Sequence, residues 1–187
     1  MVFLPNEFYY VYNRGNNKQL VFIEVENYIF FINKSQKELQ GFADVVTYCL
    51  MPNHYHLLIY TNGEINNKNN SSLNRKLGTL QSSYTRVFNL RFNRTKALFQ
   101  PKLKCKILNG KEHQLKTYFH YIHQNPLKAS LVHRMEEWQF SSYNAYINHS
   151  FETIINRRLA FEGIVIPESR DRFIEESLGV IDFDNED

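Results

Sequence analysis

The sequence predicts an α+β fold: a ferredoxin-like sandwich with a mostly antiparallel sheet, helices on one face and a C-terminal helical extension. Three observations predict it. Strand-like and helix-like patterns alternate as strand, helix, strand, strand, helix, strand, helix, which is the split β-α-β arrangement. Only Met51-Pro52-Asn53 separates the second and third strand patterns, so these two pair as a hairpin. The last of the helical stretches is apolar along one stripe at 3.6-residue spacing, the pattern of a helix lying on a core.

Each element has its own signal. Glu7–Asn13 (EFYYVYN) is aromatic and β-branched and reads as a strand, which the turn residues Arg14-Gly15-Asn16-Asn17 end. Val21–Gln40 carries apolar residues at 25, 28, 29, 32 and 39, a helical spacing with Gly41 as its stop. Phe42–Leu50 (FADVVTYCL) and His54–Thr61 are the hairpin strands, and Pro52, lacking an amide hydrogen, suits their junction. Asn62–Ser72 is polar and turn-rich and reads as a loop. Leu73, Leu77, Leu80, Tyr84, Val87 and Phe88 keep a helical period to about residue 91. Ala97–Leu108 alternates from Lys102 onward, with Lys102, Lys104 and Lys106 on one face and Leu103, Cys105 and Ile107 on the other. Lys111–Gln124 is a helix with a core stripe of Leu115, Tyr118, Phe119 and Ile122. Residues 126–160 add a loop, Trp138 and short helical pieces, and an acidic tail begins near residue 162. Residues 1–147 read as one domain, with 148–187 as an extension of it.

Composition narrows the class. A chain of 187 residues with 43% hydrophobic and 15% aromatic residues fits one folded domain, not a disordered chain. No apolar run approaches the roughly 18 residues of a membrane span, and the N-terminus lacks a signal-peptide pattern. The two cysteines form no disulfide framework, and a cytoplasmic location is expected. The net charge of +3 hides an asymmetry: Lys68–Lys116 holds twelve Lys or Arg and one acid, whereas Glu162–Asp187 holds nine acids and two Arg. A basic middle interleaved with aromatics points to a polyanionic partner.

Two short patterns carry chemistry. In the strand His54–Thr61, side chains alternate, so His54 and His56 share one face, where two imidazoles can hold one metal ion. In the helix Lys111–Gln124, Tyr121 lies one turn before Asn125. Either pattern alone is a weak signal: a strand histidine pair or a tyrosine among core aromatics is commonplace. His120 and His123 are the rival ligands on that helix, but His123 points roughly 200° away from Tyr121 at helical pitch.

Together, MPNHYHLLIY at 51–60 and Tyr121-Ile122-His123-Gln124-Asn125-Pro126 resemble the single-tyrosine transposases of the HUH nuclease superfamily, and within them the REP-associated tyrosine transposases. Tyr12–Asn17, Leu98–Lys102 and Trp138–Tyr143 look like further landmarks in the family's order, so the resemblance covers about residues 8–147. The residue between the histidines, usually a bulky hydrophobe, is Tyr55. The resemblance implies that His54, His56 and Asn125 bind a divalent metal, Mg²⁺ or Mn²⁺, and that Tyr121 is the nucleophile. It implies single-stranded DNA with a hairpin as substrate, a 5′-phosphotyrosine intermediate, and a monomer or homodimer. Candidate DNA contacts are Asn13, Arg14 and Asn16 by analogy, and Arg86, Arg91, Arg94, Lys102, Lys104 and Lys106 by charge. The competing readings are a non-catalytic hairpin binder that keeps the fold and a metal-binding ferredoxin-like module acting on RNA or a protein.

Overall fold

The computed structural model describes residues 2–63, 67–109, 112–148 and 154–179. Four strands, β1 (Phe8–Arg14), β2 (Ala43–Met51), β3 (His54–Thr61) and β4 (Lys104–Leu108), form one sheet in the order β2-β3-β1-β4. Every neighbouring pair is antiparallel. The helices are α1 (Val25–Leu39), α2 (Asn67–Arg91), α3 (Glu112–Lys128), α4 (Tyr143–Ile147) and α5 (Arg170–Leu178). The α+β ferredoxin-like expectation holds.

The expected single helical face does not. One face of the sheet, with Tyr9, Val11, Leu50, Tyr55 and Leu57, packs on Phe31 of α1 and Leu77 and Tyr84 of α2. The other face, with Tyr10, Cys49, Met51 and Leu58, packs on Leu115, Phe119 and Ile122 of α3. The reason is the composition of β1 and β2: consecutive residues Phe8–Val11 and Val45–Met51 are all buried, which requires cover on both sides. The C-terminal extension closes that second layer, where Phe173 of α5 stacks on Tyr146 of α4 at 5.6 Å.

Boundaries follow local chemistry. Residues 21 and 22 are not yet helical, because their amides donate to the Pro52 carbonyl at 2.7 and 3.0 Å; α1 starts after Asn27 Oδ1 has accepted from the amides of Ile23 and Glu24. Gly41 follows α1 with φ of 81°, the left-handed stop expected of it. The helix α2 starts at Asn67, inside the stretch read as a loop. Strand β4 is shorter than its alternating pattern: Leu98 and Gln100 instead hydrogen-bond backbone to backbone with Asn16 and Arg14. A Cβ at Gly15 would collide with the Gln19 carbonyl oxygen, so this close turn after β1 requires glycine. Trp138–Ser142 runs along the outer edge of β2, with the Leu50 amide donating to the Phe140 carbonyl (2.9 Å) and the Ser142 amide to Tyr48 (3.1 Å). That covers an edge that would otherwise be open to another strand. Of the acidic tail, residues 180–187 lie outside the described residues.

Candidate active site

The register of the sheet decides what meets His54 and His56. Across β1, Tyr12 stands opposite His56 and Arg14 opposite His54; beyond it Lys104 pairs with Tyr12 and Lys106 with Tyr10. All these side chains share the α3 face, since Tyr55 and Leu57 between them enter the opposite core. Helix α3 crosses this face and sets Tyr121 beside the histidines. The Tyr121 ring centroid is 5.9 Å from that of His56 and 6.4 Å from that of Tyr10, edge-on to both. The two histidine rings lie 4.8 Å apart and nearly perpendicular. The sequence-predicted quartet His54, His56, Tyr121 and Asn125 is thus gathered at one place, within a single chain.

His56 is 4% exposed, and burial pushes its pKa well below the ordinary imidazole value; the charges on His54 and Arg14 push the same way, and the Asn125 side chain alone opposes them. The ring is therefore neutral at pH 7, the form that binds metals. Its Nδ1 is held by the Tyr10 hydroxyl at 2.6 Å, while its Nε2 is buried with no hydrogen-bond partner. A buried polar atom without a partner costs stability unless something else occupies it. Nδ1 of His54 is engaged by Asn53 Oδ1 at 2.5 Å. With Nδ1 taken on both rings, a metal ion would have to be met through Nε2. Asn125 spends its amide nitrogen on the Tyr121 carbonyl (2.7 Å), so its Oδ1 is the atom that acts on His56. Among the described residues no three His, Cys, Asp or Glu side chains cluster, so any third donor beside the two imidazoles would be of another type, and the amide oxygen of Asn125 is the group next to His56. Two imidazoles, one of them with an orphaned nitrogen, and one amide oxygen are a donor set that would fit a divalent cation such as Mn²⁺ or Mg²⁺, with imidazole favouring Mn²⁺ in affinity.

Sequence reasoning missed Tyr10 and Asn53, the partners that orient the two imidazoles. Asn53 was visible as the neighbour of His54; Tyr10 meets His56 only through the β1–β3 register.

The basic candidates separate into groups. Lys104 lies over the Tyr12 ring at 5.2 Å and Lys106 over Tyr118 at 5.4 Å, both on the histidine face, and Lys128 adds a cation over Tyr121 at 5.4 Å. Arg14 is half-buried beside His54, and Lys102 is exposed just ahead of β4. Arg86 is exposed on α2. Arg91 pairs with Glu24 through two contacts of 3.1 and 3.2 Å, and Arg94 bonds Gln19 while lying over Phe88. These last two brace the α1–α2 layer, away from the histidine face. Asn16 is half-buried, with its amide given to Leu98. Asn13 is 1% exposed, and its amide is spent on Gln81 (3.2 Å), the Gln100 carbonyl (3.1 Å) and the Arg14 amide (2.8 Å). It organises the end of β1 through these bonds.

No family model and no curated protein matches this sequence. Among solved structures, the chain is similar to a REP-associated tyrosine transposase bound to a REP hairpin: TM-score 0.64, 12% identity, 84% of this chain and 95% of that one. The two share a fold. A weaker likeness, TM-score 0.45 at 8% identity over 74% of this chain and 69% of the other, is to a bacterial tRNA(His) guanylyltransferase-like protein in complex with ATP, and bears on neither fold nor function. No helix among the described residues is long and apolar enough to cross a membrane.

Proposed function

We propose that this chain is a metal-dependent single-tyrosine nuclease and strand transferase of the REP-associated HUH type, acting on single-stranded DNA that carries a hairpin. The observation that carries the reading is the partnerless, buried Nε2 of His56 with Asn125 and the Tyr121 ring beside it. A fold shared with a hairpin-bound transposase, together with lysines on the same face, supports the choice of substrate.

Tyr121 supplies the nucleophile. Its hydroxyl oxygen attacks phosphorus and loses its proton to solvent. The P–O3′ bond breaks, the 3′ oxygen takes a proton, and the strand is left with a free 3′-hydroxyl and a 5′-phosphotyrosine. The diester bond count is unchanged, so a second 3′-hydroxyl can reverse the step without ATP. A divalent cation held by His54, His56 and Asn125 would act as Lewis acid on the scissile phosphate. Being neutral, these three side chains leave its charge undiminished. Lys104, Lys106, Lys128 and Arg14 hold the backbone by charge, which gives affinity and not sequence. The Tyr121 ring beside His56 of the same chain supports action as a monomer over a homodimer with exchanged tyrosines.

The test is a labelled hairpin oligonucleotide with Mn²⁺, Mg²⁺ or chelator, followed on a denaturing protein gel for wild type and Tyr121→Phe. A metal-dependent covalent adduct absent from Tyr121→Phe is expected. Hairpin binding with no adduct under any metal would leave a binding protein in its place.

A further inference from the structure

His123 is a buried side chain that the chemistry does not use. It is fully buried on α3, two residues from Tyr121 and two from Asn125. Its Nε2 lies 2.7 Å from Thr47 Oγ1 and 2.8 Å from Ser142 Oγ, and those two hydroxyls are themselves 2.8 Å apart. The triangle joins α3 to β2 and to the segment that enters α4. Ser142 is in turn gripped by the backbone of Tyr48, whose amide donates to it at 3.0 Å. The Nδ1 of His123 has no partner. An apolar side chain here would avoid that cost, so stability alone does not explain a histidine.

Thr47 is brought to the triangle by an irregularity. The β2–β3 register shifts between Val45 and Thr47, so Val46 packs under α3 and Thr47 next to it reaches His123 on the same side. An unbroken strand would aim one of the two the other way. Bulges that re-aim one side chain are a recurrent device beside active sites.

We infer that the His123–Thr47–Ser142 triangle is a rotational stop on α3 that fixes where Tyr121 and Asn125 stand over His56. The inference rests on the proposed roles of Tyr121 and Asn125, and makes His123 and Thr47 positioning residues. At about 100° per residue, Tyr121 and Asn125 lie about 40° apart around the helix, and His123 lies about 180° from their midpoint. A helix held on a sheet by Phe119 and Ile122 can roll at little cost, because apolar contact is not directional. Hydrogen bonds are directional and resist the roll. With the phenol oxygen about 9 Å from the helix axis, a roll of about 10° moves it about 1.5 Å. A misplacement of about 1 Å can cost about 100-fold in rate. The stop therefore sits where a small loss of direction has the largest effect on the nucleophile. Two further bonds, from Gln124 Nε2 to the Ser177 and Gly179 carbonyls, tie α3 to α5, which carries no part of the histidine pair.

Thr47→Val removes the hydroxyl at constant volume and Thr47→Ser keeps it. Leu39→Ala, in the opposite core, serves as a control for general destabilisation. Two readouts are needed. In single-turnover adduct formation with saturating hairpin and Mn²⁺, counted per folded molecule, Thr47→Val should be at least about 10-fold slow with hairpin affinity within about twofold of wild type. Thr47→Ser and Leu39→Ala should run near the wild-type rate. In NMR of the DNA-free chain, the Tyr121 ring signals, shifted by the neighbouring His56 and Tyr10 rings, should move in Thr47→Val and stay in Thr47→Ser. Unmoved Tyr121 signals overturn the inference whether or not cleavage occurs, and so does a Leu39→Ala control as slow as Thr47→Val. Moved signals with no adduct in wild type overturn the proposed function and leave the stop in place.

Discussion

Replacing Tyr10 with Phe tests whether the histidine site is built as described. The change removes one hydroxyl and keeps the ring that stacks on Tyr12 at 5.0 Å and on His56 at 5.7 Å. In the metal-free chain His56 already has one buried nitrogen without a partner; after the change it has two. Leaving a buried polar atom unsatisfied costs about 1–3 kcal/mol, so the metal-free protein should lose about that much in denaturant unfolding. Metal binding suffers separately. The Tyr10 hydroxyl accepts from Nδ1–H whenever Nε2 carries the metal, and losing such an outer partner typically lowers affinity about 10–100-fold. That is about 1.4–2.7 kcal/mol, read by titrating Mn²⁺ calorimetrically at pH 7.5 into wild type and Tyr10→Phe. A wild-type chain that binds Mn²⁺ and a variant that binds it within about twofold, with stability equally unmoved, would refute the assignment of Tyr10 as the residue that holds the His56 ring.

Acid should destabilise the fold well above carboxylate pKa values. Burial lowers the His120 pKa to about 4 and that of His123 well below its ordinary value, so the unfolded chain binds more protons. Stability is then complete above about pH 6.5 and falls as pH drops, by about 2 kcal/mol per histidine between pH 7 and pH 5; a flat urea midpoint over that range would contradict this. Changing Lys104 and Lys106 together to Ala should flatten the salt dependence of hairpin affinity by about 0.7 per lost single-strand phosphate contact, whereas Arg91→Ala, whose guanidinium is held by Glu24, should leave the slope alone. Asn13→Ala should cost about 1–3 kcal/mol of stability by stranding the Gln100 carbonyl and the Arg14 amide; a stable variant with lost hairpin affinity would return Asn13 to the DNA-facing set.

The parts of this site that obey local periodicity could be read from the sequence. The placing of His54 with His56 follows from strand alternation, and that of Tyr121 with Asn125 from one helical turn. Lys104 and Lys106 were placed on one face by the same alternation. What stayed hidden depends on pairing between distant segments. Tyr10 reads as one of four aromatics in a strand until the β1–β3 register sets it under His56. Asn13 ends the expected strand just before a turn, which suggests exposure, yet Gln81 of α2 and the Gln100 carbonyl close over it. The second helical face was missed because a β1 buried on both sides looks, in sequence, much like any aromatic strand. The start of α2 was missed because Asn and Ser favour turns locally, a preference that its context overrides.

The central place of β1 in the sheet has a consequence for synthesis. It is the first strand made, yet one of its neighbours, β3, arrives some 46 residues later and the other, β4, almost a hundred. The residues that meet at the site and its stop run from Tyr10 to Ser142. A nascent chain still on the ribosome, lacking α3, holds both histidines but no Tyr121 beside them. Such long-range closure is slow to form. In exchange, on the proposed reading, no product that ends before Asn125 holds His54, His56, Tyr121 and Asn125 together.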